Sequence, residues 1–300
     1  MPVKSAAPTV AGVPISHPDR LIYPAQEISK LQLATYYESI ADWIVPHVRG
    51  RPLTLVHCPA GIAAPCNYLK HAKQWGPSAL KRVKIQEKTK VGEYLVADNI
   101  EAVVSLAQMG IVEIHTWNST TDDLERPNRI VWDLDPGPEI AWKQVVSGAR
   151  LVRDILKTLG LHSWVKTTGG RGLHVVVPIK PSRDWSACLA FSRAVSEAIE
   201  RSDPRMYTTA FAKAGRERKI LIDYLRNNRT NTAACAFSPR ARPGAFVSMP
   251  VAWEELSSGP ERWTVMTVPR RLKRRSDPWA EYWKSRQKVT NVSLAALRRL

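Results

Sequence analysis

A mixed α/β (α+β) sheet protein is the fold that the sequence predicts, and three observations carry it. Short apolar runs of strand character recur along the chain, and two of them, residues 130–136 and 219–225, hold acidic side chains. Segments with apolar residues at helical spacing separate the runs, the clearest being Val145, Ala149, Val152, Leu156 and Leu159. The distances between strands suit hairpins as well as crossovers, so a mixed sheet covers both pairings.

Residues 1–15 read as a flexible N-terminal arm. A helix starts at Ser29, where Ser29 and Gln32 make a capping box and Leu33, Tyr36, Ile40, Trp43 and Ile44 repeat at helical spacing; Pro46 is expected to end it. Residues 53–57 read as a strand and 58–77 as a long polar connection. Residues 99–109 suit a helix and 111–117 a strand. The strand holding Asp133 and Asp135 stops at Pro136-Gly137-Pro138, and the best helix of the chain follows, with Gly160 at its C-terminal cap. Residues 163–167 and 173–179 are two strands joined by a glycine turn. Another helix starts near Asp184 and carries Leu189, Val195 and Ile199. The strand of Asp223 comes next, then an Arg- and Pro-rich stretch, a basic run over 270–275, and a terminal helix near 292–300.

The 300 residues are enough for one large domain or two intimately packed modules. Against 27 Asp and Glu stand 44 Lys and Arg, a formal net charge of +17. That excess favours polyanionic partners, nucleic acid first and an anionic membrane surface second. No window approaches the ~18 consecutive apolar residues of a membrane span, and the N-terminus lacks the apolar stretch of a secretory signal. Cys58, Cys66, Cys188 and Cys235 form no CxxC pair. Cys58 and Cys66 with His57 and His71 match no common zinc spacing, so reduced structural thiols and a cytoplasmic setting are expected.

Side chains alternate faces in a strand, so Asp133 and Asp135 lean to one side and toward one point. Buried carboxylates of this kind call for a cation. With Asp223 in a second apolar strand, the pattern implies a divalent-metal site for phosphoryl chemistry, with oxygen ligands suited to Mg²⁺ or Mn²⁺. Gly169, Gly170 and Gly172 let backbone amides approach phosphate oxygens, and Arg171 and His174 add charge or donors. A hairpin whose glycines serve only the turn is the alternative; it leaves Thr168, Arg171 and His174 without a task. His174 shares its strand face with Val176, so a buried structural histidine is the other reading of that residue. Glu113, His115 and Trp117 alternate onto one face and read as a cleft wall. Arg226, Arg229, Arg240 and Arg242 cluster after Asp223, where bidentate guanidinium groups suit a triphosphate. The 270–275 run reads as a sequence-independent phosphate contact or an exposed face.

The segments RIVWDLDPG (130–138), TTGGRGLHVVVPI (167–179), ILIDYLRNNR (220–229) and SPRARPGAFVSMP (238–250) closely resemble the polymerase domain of bacterial ATP-dependent DNA ligase D, of the archaeo-eukaryotic primase superfamily. The resemblance runs from about residue 15 to 263. It implies a primase-polymerase-like core, residues 16–300, of two closely packed α/β modules (about 16–125 and 126–270) around a central cleft, with a basic extension over 270–300. It implies a two-metal nucleotidyltransferase using Mn²⁺ or Mg²⁺. Such an enzyme adds nucleotides from NTP or dNTP, ribonucleotides preferred, to the 3′-hydroxyl of gapped or broken DNA ends in non-homologous end joining. By position Asp133, Asp135 and Asp223 match metal ligands, and His115, Thr168, Arg171, His174, Arg226 and Arg240 match contacts to the incoming nucleotide. Thr168 stands where the family usually has Ser. Arg20, often Lys, and Lys30 match a pocket for the 5′-phosphate of a broken end, and Tyr68 a position that stacks on template bases; Asn67 departs from the aromatic pair expected there. The partners implied are 5′-phosphorylated DNA ends, gaps and overhangs, nucleoside triphosphates, the bacterial Ku end-binding protein, and ligase and nuclease domains in cis or in trans. The setting implied is the cytoplasm, at the nucleoid, without a membrane.

Other chemistry fits less well. A haloacid-dehalogenase phosphatase needs Thr or Val where Gly137 stands, and a DxD glycosyltransferase leaves the arginines and the net charge unexplained. A DNA-end-binding scaffold without catalysis is the alternative from a different class.

Overall fold

The computed structural model describes residues 7–72, 76–274 and 276–290. They fall into two compact units: Met1–Thr116 with Ala234–Val247 and Trp263–Arg275, and Trp117–Ala233 with Ser248–Arg262 and Ser276–Leu300. These units are interleaved along the chain, whereas the sequence reading cut it into consecutive modules, 16–125, 126–270 and a tail. The segment after Asp223 and its strand returns to the first unit, and no local sequence signal reports such a return.

Up to residue 116 the elements are β1 (Thr9–Val10), β2 (Val13–Pro14), β3 (Leu21–Tyr23), β4 (Ile28–Ser29), α1 (Lys30–Ser39), α2 (Ala41–Val48), β5 (Leu53–His57), β6 (Asn67–Leu69), β7 (Lys81–Gln86), β8 (Val91–Val96), α3 (Ile100–Gln108) and β9 (Ile111–Thr116). Beyond it come β10 (Arg129–Pro136), α4 (Trp142–Thr158), β11 (Trp164–Thr167), β12 (Leu173–Pro178), α5 (Trp185–Ser202), β13 (Tyr207–Thr208), β14 (Ile220–Asp223), β15 (Ala233–Ala234) and β16 (Pro250–Val251).

In the first unit β5 pairs antiparallel with β9 and β6, and β15 follows β9 at the other edge, where Cys235 N donates to Ile114 O at 2.9 Å. Helix α1 starts as expected: Ser29 Oγ accepts from Gln32 N and Gln32 Oε1 from Ser29 N. It breaks at Ile40, and Pro46 lies inside the next helix instead of ending the first. The restart at Ala41 leaves only one intrahelical hydrogen bond for Pro46 to remove, two residues before α2 ends. The arm reading is corrected for the described residues: β1 and β2 form a hairpin, and Val10, Val13 and Ile15 are buried. Within 58–77, read as connection, β6 pairs with β5, and Cys58 and Cys66 are joined by a disulfide instead of being free thiols. Cys188 and Cys235 are buried and lie outside the disulfide. The β7–β8 hairpin carried no alternating apolar signal: Ile85 is the one buried residue of β7, and β8 buries Tyr94, Leu95 and Val96 in succession. In the basic run, Val268–Arg274 is a short helix with Arg271 over the Trp263 ring at 5.7 Å. The helix expected over 292–300 lies outside the described residues.

The second unit is built on a six-stranded sheet of order β13-β14-β10-β12-β11-β16, antiparallel except for β13 against β14. Helices α4 and α5 pack on one face, where Trp132 Nε1 donates to Ser192 O. Their starts and stops were legible: Asp184 Oδ1 caps α5 through Ala187 N, and Gly160 takes φ +74° just past α4. The opposite face is apolar at one end, where Val131 and Val176 meet Trp279 and Tyr282. One residue pair further along, the same face turns polar.

Candidate active site

That polar row follows from register. On β10, Asp133 stands opposite His174 of β12 and opposite Asp223 of β14, and His174 stands opposite Lys166 of β11. Directly opposed residues share a face, so Lys166, His174, Asp133 and Asp223 form one cross-strand row. Asp135, two residues on, projects from the same face and is more exposed. Asp223 therefore faces Asp133, as the sequence reading requires.

Guanidinium groups answer these carboxylates. Arg226, on the turn after β14, places Nη2 3.0 Å from Asp133 Oδ2 and Nε 3.1 Å from Asp223 Oδ2. Arg216 Nη2 donates to Asp135 Oδ2 at 3.0 Å. Gly137 makes that approach feasible, since a Cβ there would strike the backbone carbonyls of Arg216 and Glu217. Among the described residues no three His, Cys, Asp or Glu side chains are gathered tightly enough to hold a metal ion. The donor set nevertheless fits a hard divalent cation: three carboxylates on one face, two of them directly opposed. Burial pushes the Asp223 carboxyl up to about 6; Arg226 opposes that shift, and the charges of Asp133 and Asp135 add to it. An added cation would relieve this crowding.

His174 is almost wholly buried, and its Nε2 lies 3.4 Å from Asp133 Oδ1, a long contact. Burial, with the charge of Lys166 next, brings its pKa down to about 3, so the ring is neutral at neutral pH. Lys166 Nζ donates to Ser248 Oγ, which donates to Thr167 O. The glycine turn joins β11 to β12: Thr168 N and Oγ1 both donate to Gly172 O at 3.1 Å, and Gly170 N donates to Thr168 Oγ1. Gly172 presses against Leu134 O so closely that no Cβ fits. The Thr168 hydroxyl thus closes the turn, and Arg171 Nη2 donates to Pro138 O and Ile140 O, bracing the turn against the loop after β10.

The remaining residues lie in the first unit. Tyr68, Glu113 and His115 share a face of its sheet: Val56 opposes both Tyr68 and Glu113, and Thr54 opposes His115. The rings of Tyr68 and His115 lie 5.9 Å apart, and Tyr68 is 67% exposed. His115 Nε2 hydrogen-bonds Glu113 Oε2 at 2.8 Å, Arg240 Nε lies 3.0 Å from the same oxygen, and Ala241 N donates to Glu113 Oε1 at 2.7 Å. Burial acts to raise the Glu113 pKa, but the His115 hydrogen bond, Arg240 and the Ala241 amide together hold it down at about 2. The cleft-wall reading of Glu113, His115 and Trp117 is thus corrected: all three are buried, and Trp117 lies beyond the strand, edge-on to Trp185. Lys30 is also buried, with Nζ donating to Gln108 O at 3.0 Å and to Ser16 Oγ at 3.5 Å. Its pKa is lowered by burial and then by the charge of Arg20, whose Nη1 donates to Pro59 O. Two cations held near each other suit a doubly charged anion. Sequence reasoning missed the roles of Glu113, Lys166 and Arg216; only the i, i+2 spacing of Glu113 and His115 gave a hint.

A mixed α/β protein whose antiparallel sheet sets three carboxylates on one polar face is the class that fold and site define. The model of the LigD primase-polymerase domain matches residues 29–279, and the chain belongs to that family. It is 38% identical over 293 residues to the multifunctional non-homologous end joining protein LigD of Pseudomonas aeruginosa, covering 96% of this chain and 34% of that protein. The LigD of Mycolicibacterium smegmatis is 31% identical over 247 residues, 82% of this chain and 32% of that one. The chain thus spans about a third of the length of these relatives. Its structure is similar to the polymerase domain of Mycobacterium tuberculosis ligase D in complex with DNA, with a TM-score of 0.83 at 25% identity, covering 90% of this chain and 97% of that one.

Proposed function

We propose that this chain is a DNA-repair nucleotidyltransferase that adds nucleotides, ribonucleotides by preference, to the 3′-hydroxyl at gapped or broken DNA ends in non-homologous end joining. The observation that carries the reading is the register that sets Asp223 opposite Asp133, with Asp135 two residues along the same face. Family membership supports it, as does the formal net charge of +17, which suits a DNA partner.

Asp133, Asp135 and Asp223 would hold Mn²⁺ or Mg²⁺, which when bound acidifies the 3′-hydroxyl and neutralises triphosphate charge. The protein's own part is positioning. Neutral His174 keeps the Asp133 carboxylate oriented without competing as a cation. The turn over 168–172 is held rigid by its own hydrogen bonds and by Arg171, so its amides meet phosphate oxygens without reorganisation. Arg226 and Arg240 supply charge to the phosphates and His115 a ring nitrogen to the nucleotide. Arg20 and Lys30 take the 5′-phosphate of the end, and exposed Tyr68 stacks on a template base. Base pairing across the end then supplies the specificity. The chain would work in the cytoplasm at the nucleoid, beside ligase and nuclease modules and the Ku end-binding protein. Among the described residues no helix is long and apolar enough to cross a membrane.

With labelled gapped DNA, Mn²⁺ and nucleoside triphosphates, the wild type should extend the primer. Asp133→Ala should reduce addition to background and leave end binding intact. Wild type and Asp133→Ala behaving alike would leave a DNA-end-binding scaffold as the function.

A further inference from the structure

Glu113 has no part in the chemistry proposed above, yet it is a buried carboxylate with three polar partners. Its side chain is 6% exposed, and three groups converge on it: His115 Nε2, Arg240 Nε and the amide of Ala241. Arg240 is 127 positions away in sequence from Glu113, on a segment fixed to β9 by Ser238 Oγ, which accepts from Ile114 N at 2.8 Å. A buried carboxylate survives only where its partners repay desolvation, and removing it would strand a buried cation and a ring N–H. Such a group sets geometry as well as stability.

We infer that Glu113 is a positioning residue that fixes the tautomer of His115 and the orientation of Arg240, so that both meet the incoming nucleoside triphosphate already aligned. This rests on the proposed function, which assigns those two residues to the nucleotide. Glu113 is ionised and therefore only accepts, so His115 Nε2 must carry the proton, and in the neutral ring Nδ1 is the acceptor. Oε2 also lies 3.0 Å from Arg240 Nε as an ion pair, so one atom holds the imidazole by a hydrogen bond and the guanidinium by charge. Oε1, held by the Ala241 amide, keeps the carboxylate from rotating. The same logic makes partners behind a metal-bound histidine matter to its ligand. Tyr23 adds a further restraint, its hydroxyl donating to Arg240 O at 2.9 Å.

The test needs a readout that loss of packing would not produce. Glu113→Gln keeps the shape and an acceptor for Ala241 while removing the charge. Primer extension on gapped DNA should show KM for the nucleoside triphosphate raised about tenfold or more, with the affinity for the DNA end little changed. Added to a His115→Ala/Arg240→Ala background, Glu113→Gln should have no further effect on KM, because the residues it aligns are gone. An unchanged KM in the single variant, or the same loss in both backgrounds, overturns the inference. Nitrogen-15 NMR of the wild-type histidine rings gives an answer that no variant's folding can obscure: the neutral ring of His115 should be protonated at Nε2, and a proton on Nδ1 instead would end the argument. If wild type and Asp133→Ala both fail to add nucleotides, the catalytic reading falls by itself. Glu113 is then judged by equilibrium binding of a nucleoside triphosphate, where equal Kd for wild type and Glu113→Gln refutes it.

Discussion

Replacing Arg226 by Ala isolates the charge balance of the carboxylate row. In the wild type its guanidinium lies within 3.1 Å of Asp133 and of Asp223, which oppose each other on neighbouring strands. Opposed residues place their Cβ atoms about 5 Å apart, and two charges at that distance repel by about 3 kcal/mol at an effective dielectric of about 20. The protein avoids much of this through Asp223, whose pKa already stands at about 6 against an ordinary 3.8. At pH 7 that shift costs about 3 kcal/mol of stability, while holding the carboxyl wholly neutral would cost about 4. Loss of Arg226 can therefore add only about 1 kcal/mol through Asp223. The lost attraction to Asp133 adds less than about 1 kcal/mol, because the Arg226 side chain is 38% exposed and screened by solvent. The total is about 2 kcal/mol, or a melting temperature lower by about 3 °C for a chain of this length. The sign with pH follows from linkage: the native state keeps the Asp223 proton up to about 6 and the unfolded chain releases it near 3.8, so stability falls as pH rises between those values. At pH 5 Asp223 is protonated in native wild type and variant alike, and the loss should shrink to about half. Thermal melts of both proteins at pH 5 and pH 7 decide the matter. Equal losses at the two pH values, or none at pH 7, would refute this account of the row.

Two shorter predictions concern the first unit. Lys30→Met should abolish the preference for 5′-phosphorylated over hydroxyl ends, and Arg20→Ala should weaken it by about tenfold, measured by competition between the two ends; equal competition with the wild type removes the phosphate pocket. Reducing the Cys58–Cys66 bridge should lower stability by about 2–3 kcal/mol, since it closes a loop with a sequence separation of 8; denaturant melts with and without a thiol reductant measure it, and coincident midpoints would count against it.

What was legible in the sequence was what is local. Ser29 with Gln32, Asp184 and Gly160 announce helix ends because cap and capped residue lie within one turn of each other. Asp133 and Asp135 announce a common face because strand alternation has a period of two. The strands flanking the glycine turn were readable for the same reason. Cys58 and Cys66 were not, because a separation of eight belongs to no recurring pattern. The β7–β8 hairpin was not, because β7 buries only Ile85 and β8 buries Tyr94, Leu95 and Val96 in succession, so neither strand leaves a period of two. Pro46 misled because its effect depends on where the helix restarts, and that is set by packing around Ile40, which is fully buried.

The site shows where this boundary has consequences. Residue types named Asp133, Asp223, His174 and Arg226, and the fold brings the four together on one face of the sheet. What residue types could not supply was register. One residue of slip between β10 and β14 would turn Asp223 to the helix-covered face and break the row. The register is held by features without functional signature: Gly172 against Leu134 O, Gly137 against the carbonyls of residues 216 and 217, and Asn227, whose side chain accepts from Val131 N at 2.8 Å and donates to Val131 O at 2.7 Å. Asn227 thereby continues the β10 ladder just beyond β14 and clamps the Arg226 turn to the strand that carries Asp133. Glu113 stands in the same relation to His115 and Arg240. In each unit the residues that suggest chemistry are recognisable by type, and those that make the chemistry geometrically feasible are ordinary residues recognisable only by whom they touch.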